Sequence, residues 1–390
     1  MINNNVPKLR FPEFQNGWEV KKLGDLLEFK NGINATKEQY GKGYKFINVL
    51  DILNNDFITY DKIIGSVDVS EDIFNKYPVN YGDILFQRSS ETREEVGTAS
   101  VYLDKEKTAT FGGFVIRGKK IGEYEPFFLS RLLQTDLSRN QITSKSGGST
   151  RYNVGQEILM SIEVSFPTLP EQQKIATFLS IVDEKLQALK KKKSLLETYK
   201  KGVMQKLFSQ QIRFKDDEGN DFKGWEVKTL GEIAKITTGS SNREDSNLDG
   251  EFTFFDRSQD IRSSNRFLFD AEAIIVPGEG QEFIPKYFKG KFDLHQRTYA
   301  IMNFKNVNGI FLFYSISFNT NHLNSHAVGS TVKSLRLPMF ETMPINLPSL
   351  PEQSKIANFL TVIDEKITKV DLQIKQTELW KKGLLQQMFV

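Results

Sequence analysis

Apolar positions recur at alternating spacings of four and three in two long stretches. The first runs through Ile175, Leu179, Val182, Leu186, Leu189, Lys193, Leu196, Lys200, Val203 and Leu207. The second runs through Ile356, Leu360, Ile363, Ile367, Val370, Ile374, Thr377, Lys381, Leu384 and Met388. Such spacing puts one stripe along an α-helix, and a stripe this long predicts coiled-coil pairing. At about 1.5 Å per residue each helix spans on the order of 55 Å. The two helices are expected to pair with each other in antiparallel fashion, an intermolecular coiled coil being the alternative. Phe178, Ile181, Phe359 and Val362 fall outside the stripe and suggest a second apolar face, suited to helices of a partner.

Between these stretches the apolar runs are short and broken by turns. Tyr44–Val49, Asp83–Phe86 and Phe114–Arg117 read as strands, followed by a helical pattern from Glu125 to Gln141. A second set repeats this order: Phe252–Phe255, Ala273–Val276 and Thr298–Ile301, then a helix from Ile310 to Asn324. Each set predicts an α+β module with a mostly β core.

The frames of the two modules echo one another. Gly17-Trp18-Glu19-Val20 returns 207 residues later as Gly224-Trp225-Glu226-Val227. Gly148-Ser149-Thr150 and Leu169-Pro170-Glu171-Gln172 return after 181 residues as Gly329-Ser330-Thr331 and Leu350-Pro351-Glu352-Gln353. The first interior is therefore 26 residues longer than the second, the difference between those offsets. Two copies at so large an offset indicate a duplicated domain and not a solenoid. Shared frames around divergent interiors suit two modules that read different targets. Proline at the helix start costs no hydrogen bond, and Glu171 and Glu352 favour the positive end of the helix dipole.

Composition narrows the chemistry. The chain has 390 residues, no cysteine and a formal charge of +3. A nucleic-acid surface on it must be local. Disulfides, thiolate metal sites and a cysteine nucleophile are excluded, and a reducing cytoplasm is expected. Met1–Asn5 lacks the features of a signal peptide, and the apolar run Ile310–Phe318 is too short to span a bilayer. No phosphate-loop or dinucleotide fingerprint occurs, and Pro277-Gly278-Glu279-Gly280 reads as a turn at a strand end. His322 and His326 stand one helical turn apart but lack neighbouring acids, so no metal site is expected.

Residue types that suit contact with a nucleic acid fall in loops. Gln87, Arg88 and Arg93 follow a strand in the first module; Arg243, Arg257 and Gln259 are their chemical counterparts in the second. Arginine suits guanine and glutamine suits adenine in the major groove. Around the two Gly-Ser-Thr turns, Lys145, Arg151, Lys333 and Arg336 bring charge. These segments read either as phosphate contacts or as structural turns leading to the long helices. Lys190–Lys193 reads as a solvated or partner-facing stripe.

The duplicated Leu-Pro-Glu-Gln runs, Gly-Trp-Glu-Val starts, Gly-Ser-Thr turns and paired long helices together resemble the specificity subunit of type I restriction–modification enzymes. The resemblance covers the chain in order. It implies two target recognition domains, at 1–168 and 211–349, each followed by a conserved helix, at 169–210 and 350–390. It further implies that each domain binds half of a split double-stranded DNA target and that the helix pair acts as a ruler. Two modification subunits, which bind S-adenosylmethionine and methylate adenine N6, would dock on the helices. Separate motor-nuclease subunits, using ATP and Mg, would complete the restriction enzyme. This chain would itself be non-catalytic, with no cofactor, metal or membrane contact. The competing reading is a coiled-coil scaffold with two modules that bind something other than DNA.

Overall fold

The computed structural model describes residues 5–148, 150–247 and 249–390. The chain divides into two compact units, Met1–Leu189 with Gln373–Val390, and Lys190–Leu372. Both long stripes are realised as helices, Leu169–Phe208 and Leu350–Met388. Each unit thus holds part of both.

In the first unit a four-stranded antiparallel sheet runs in the order Leu27–Asn31, Val115–Lys120, Ile84–Gln87, Ala99–Val101. A smaller sheet joins Ser66–Val67, Tyr40–Ile47 and Thr110–Phe111. Ile84–Gln87 is buried on both faces, and its alternation serves two cores. Ile84 and Phe86 enter one, and Leu85 enters the other with Ile47, Tyr102 and Phe111. The larger core is closed by the long helices, through Ile175, Leu179 and Val182 from one and Leu384 and Met388 from the other. Burying each such side chain is worth about 1.5–3 kcal/mol, so the apolar stripe is part of the domain core as well as a helix seam.

The second unit contains a six-stranded sheet, ordered Lys235–Thr238, Thr298–Met302, Phe269–Pro277, Lys286–Leu294, Phe252–Phe255, Arg262–Ser264. All neighbours are antiparallel except Phe252–Phe255 against Lys286–Leu294. Ile274 and Val276 face one core, Ala273 and Ile275 the other. Leu207, Ile356, Leu360 and Ile363 of the long helices close the first of these. Within this unit Lys193 pairs with Asp371 and Lys200 with Asp364. One helix number rises as the other falls, so the helices run antiparallel here. Asp183 with Lys381 is the matching pair in the first unit.

Of the seam positions, Ile175, Leu179, Val182, Leu186, Ile356, Leu360, Ile363, Val370 and Ile374 are buried. Leu189, Leu196 and Ile367 are half-buried. Two predicted helices are broken where single ones were expected. The first becomes Pro126–Leu132 and Asp136–Lys145, because the Thr135 side chain accepts from Ser138 N–H and starts a new helix. The second becomes Gly309–Phe318 and Thr320–His326.

The duplicated motifs act as clamps between each domain and its helix. Arg10 donates to both carboxylate oxygens of Glu171, at 2.7 and 2.8 Å, and Trp18 Nε1 adds a third bond at 3.3 Å. Arg213 and Trp225 make the same contacts to Glu352, at 3.0, 2.7 and 3.2 Å. The following glutamines donate to Pro167 and Pro348 carbonyls and accept from the Glu125 and Asn308 backbone N–H groups. Those two residues cap the helices Pro126–Leu132 and Gly309–Phe318. Leu-Pro-Glu-Gln is therefore a fastening, and a charge-assisted bidentate pair is its strongest part. Gln210, with φ of 58°, turns the chain out of the first long helix and brings Arg213 back to Glu352.

One expectation is corrected here. Phe178 and Phe359 do not offer a free apolar face. Phe178 packs on Phe11 at 6.0 Å and Trp380 at 6.1 Å, and Phe359 packs on Phe214 at 5.7 Å. The aromatic residue after each clamping arginine covers it. Ile181 and Val362 do remain exposed.

Candidate nucleic-acid interface

Each unit ends its main strand in the same device. In the first, Ile84–Gln87 leads into Ser89–Ser90, which pairs antiparallel with Tyr152–Asn153. In the second, Phe269–Pro277 leads into Glu279–Gly280, which pairs with Lys333–Ser334. The partner strands belong to tight hairpins closed by Gly147↔Asn153 and Val328↔Ser334. These hairpins contain the Gly-Ser-Thr motifs; Ser149 lies outside the described residues. Gly148 and Gly329 have φ of +122° and +118°, and a Cβ on either would sit about 2 Å from the Arg151 or Val332 carbonyl oxygen. The structural-turn role is thus built in at both positions, and it places Arg151 and Lys333 beside the strand-end loops.

The sequence candidates are not equally placed. Gln87 is buried, with its amide donating to the Ser89 carbonyl, so it does not stand on the surface to which the sequence assigned it. Arg93 uses Nε and Nη2 on the Thr143 and Ser144 carbonyls at the end of helix Asp136–Lys145. Lys145 is tied to Ser161. Arg88 is exposed beside the hairpin, with one contact to the Gly113 carbonyl at 3.4 Å. Arg151 is also exposed. The first unit therefore brings Arg88 and Arg151 to one loop cluster and engages Lys145 and Arg93 in support.

The second unit assembles more charge. Arg257 Nη1 meets Glu279 Oε2 at 2.8 Å, and Arg297 Nη1 meets the same carboxylate at 2.8 and 3.0 Å. Partial burial opposes ionisation of Glu279, but the two guanidiniums outweigh it and hold the carboxyl below its ordinary range. Arg243 lies 3.9 Å from Asp256, and Gln259 is exposed on the same loop. Burial also opposes the charge on Asp256, yet hydrogen bonds from Ser258, with Arg243 and His295 nearby, bring it below its ordinary value. His295 is buried; burial, and then Arg257, hold its imidazole below the usual range, leaving Nδ1 to accept from Arg297 N–H at 3.0 Å. Arg266 and the buried Asp293 brace Ser241, and with it the Ser240–Arg243 loop. Lys333 is half-buried and Arg336 exposed at the start of Leu337–Glu341.

From the sequence Glu279 reads only as part of a strand-end turn with no binding role, and Arg297, 18 residues further on, carries no local motif. Sequence reasoning also missed the clamp arginines, although Arg10-Phe11 and Arg213-Phe214 are a readable echo. His322 and His326 stack at 4.1 Å on their helix, and no metal-binding group occurs among the described residues. No described helix is long and apolar enough to cross a membrane.

Known proteins place this arrangement. A family model described as the type I restriction modification DNA specificity domain matches residues 15–198 and again 222–377. The putative type I restriction enzyme MjaX specificity subunit of Methanocaldococcus jannaschii is 27% identical, over 98% of this chain and 95% of its own. The EcoDI specificity subunit of Escherichia coli is 29% identical over 39% of this chain and 34% of its own. Among solved structures, the S subunit of a type I restriction-modification system from M. genitalium has a TM-score of 0.65 at 17% identity, covering 99% of both chains. With both modules matched in tandem, the chain belongs to the type I restriction modification DNA specificity domain family.

Proposed function

We propose that this chain is the DNA sequence-recognition subunit of a type I restriction–modification complex and acts by binding alone. Each unit would hold one half of a bipartite duplex target at its strand-end loops and hairpin. Phosphate contacts would set register, and loop side chains would read the bases. The antiparallel helices would space the two half-sites. Adenine methylation, with S-adenosylmethionine, and ATP- and Mg-dependent cleavage would belong to two modification subunits and to motor-nuclease subunits. The exposed Ile181 and Val362 are where the modification subunits would meet the helices.

The observation that carries this reading is a duplicated scaffold with unlike reading ends. The Arg–Glu–Trp clamp repeats contact for contact, while Ser89 in one loop is replaced by Glu279 with two arginines in the other. Divergence at the same place in a repeated frame is what two modules that read different half-sites require. The test is a map of methylated adenines in the host genome with this gene present and deleted. A split motif should lose its methylation on deletion. Unchanged methylation in a host whose modification subunits are expressed would sink the reading.

A further inference from the structure

Resting on that DNA-recognition reading, we propose that Arg257 and Arg297, splayed by Glu279, are the guanine readers of the second unit's half-site. Glu279 sits where backbone is fixed from several sides. It pairs with Ser334 in the hairpin ladder, and the preceding Gly278 donates to the Arg297 carbonyl at 2.9 Å. A side chain at Gly278 would meet that carbonyl oxygen at 2.6 Å, so only glycine allows the two segments to approach so closely. Arg297 is held at its own N–H by His295, and Arg257 follows the buried Asp256, whose carboxylate is bonded by Ser258. The carboxylate between them takes one terminal nitrogen from each arginine. In each arginine only Nη1 bonds this carboxylate, and the side chains are 49% and 58% exposed. An arginine braced in this way offers a planar two-donor edge at little further ordering cost, the geometry that matches guanine O6 and N7.

The same two donors could bind a phosphate. Charge argues against it here. Glu279 cancels half of the positive charge at the site and would repel a dianionic or monoanionic oxygen cluster brought against it. A neutral base edge that presents only acceptors suffers no such repulsion. The first unit provides the contrast, because Ser89 occupies the position of Glu279 and bonds Asn153 instead. The device therefore belongs to one half-site only.

The experiment uses the full chain assembled with its modification subunits. Arg257→Met, Arg297→Met and Glu279→Gln complexes are tested for binding to duplexes carrying the mapped motif, with each guanine replaced in turn by 7-deazaguanine. For the unaltered complex, deaza substitution at one or two guanines of a single half-site should weaken binding on the order of ten-fold or more. In the methionine variants that sensitivity should vanish and the base preference there should relax, with the other half-site unchanged. Glu279→Gln should relax the same positions more weakly, as expected of a positioning residue. Loss of affinity that is uniform over sequences and steep in salt would make these arginines phosphate contacts and overturn the proposal. So would retained guanine preference in the methionine variants. If the unaltered complex recognises no split motif at all, it is the recognition reading itself that fails.

Discussion

Where each recognition domain meets the long helices, the two units bury different chemistry around the same lysine–aspartate pair. In the first, Arg131 is fully buried and donates to Asp183 at 2.6 Å and to Gln134 at 2.7 Å, with Asp56 at 3.4 Å. Lys381 completes the group, 2.6 Å from Asp183 and 3.4 Å from Asp56. In the second unit Tyr314 follows the capping residue Asn308 at the same interval at which Arg131 follows Glu125. Its hydroxyl donates to Asp364 at 2.7 Å, and Lys200 binds that carboxylate at 2.6 and 2.8 Å. Both groups are charge-neutral, two cations with two anions in one and a single pair in the other. What differs is depth: Asp183 is 3% exposed and Asp364 35%. A scaffold can thus keep its charge balance and helix register while the cost of breaking them differs between its halves.

The sharpest break is Arg131→Met. It leaves Asp183 buried with Lys381 alone and should lower stability by about 3–5 kcal/mol, the range for removing one member of a buried ion pair. Denaturant unfolding of the purified chain, followed by a tryptophan signal, measures it; Trp18 lies in the core of that unit. A loss below about 1 kcal/mol would mean that the buried group is not holding the domain. The clamps provide the converse. Because Glu171 and Glu352 are both buried and make matching contacts, Glu171→Gln and Glu352→Gln should each cost about 1.5–3 kcal/mol, the range for hydrogen bonds to a charged group. Similar midpoint shifts are expected. A large inequality would show that the two clamps are alike in geometry only.

How much of this was legible follows the range of the contacts. The stripe of Ile175, Leu179 and Val182 is a local period, and it became a helix with those residues inside. The strands Phe252–Phe255 and Thr298–Met302 were readable because apolar β-formers dominate them. Lys286–Leu294 was not: Lys286, Lys289 and Lys291 interrupt its aromatics, and Gly290 sits mid-strand with φ of +134°, so no period-two signal survives. The break at Thr135 was missed because an apolar face continues across it, and only the capping hydroxyl marks the end. The site was less legible than the fold. Arg257 could be picked as a loop arginine, but its partner Glu279 and companion Arg297 are brought to it only by the sheet. Phe178 and Phe359 were given to a partner because nothing local reveals that Phe11 and Phe214 return to cover them.

Acid should sharpen the comparison further. Burial works against the charge on Asp56, but Lys381 and Arg131 outweigh it and hold its carboxyl below the ordinary value. A carboxyl lowered in the folded state contributes stability above its unfolded pKa and loses that contribution as pH falls through the folded value. The first unit should therefore lose stability as pH drops below the normal carboxylate range, and Asp56→Asn should flatten that limb. The effect will be smaller than that of Arg131→Met, since Asp56 is 40% exposed and solvent screens it. An unchanged acid limb in the variant would remove Asp56 from the group.

The smallest expected change is Tyr314→Phe. The ring stays, so the apolar packing of helix Gly309–Phe318 against the long helices is kept, and what is lost is the hydroxyl bond to Asp364 with a longer contact to the Thr361 hydroxyl at 3.5 Å. Asp364 retains both contacts from Lys200 and access to water, so no buried charge is stranded. The cost should be about 0.5–1.5 kcal/mol, the net worth of an ordinary hydrogen bond, against several for Arg131→Met. Combining Tyr314→Phe with Lys200→Met then separates the terms. If the hydroxyl and the lysine brace the same carboxylate, the double variant should depart from the sum of the single ones by a measurable coupling, about 0.5 kcal/mol or more. Strict additivity would mean that Tyr314 and Lys200 hold the helix junction independently, and the second unit would then lack the cooperative group on which the first depends.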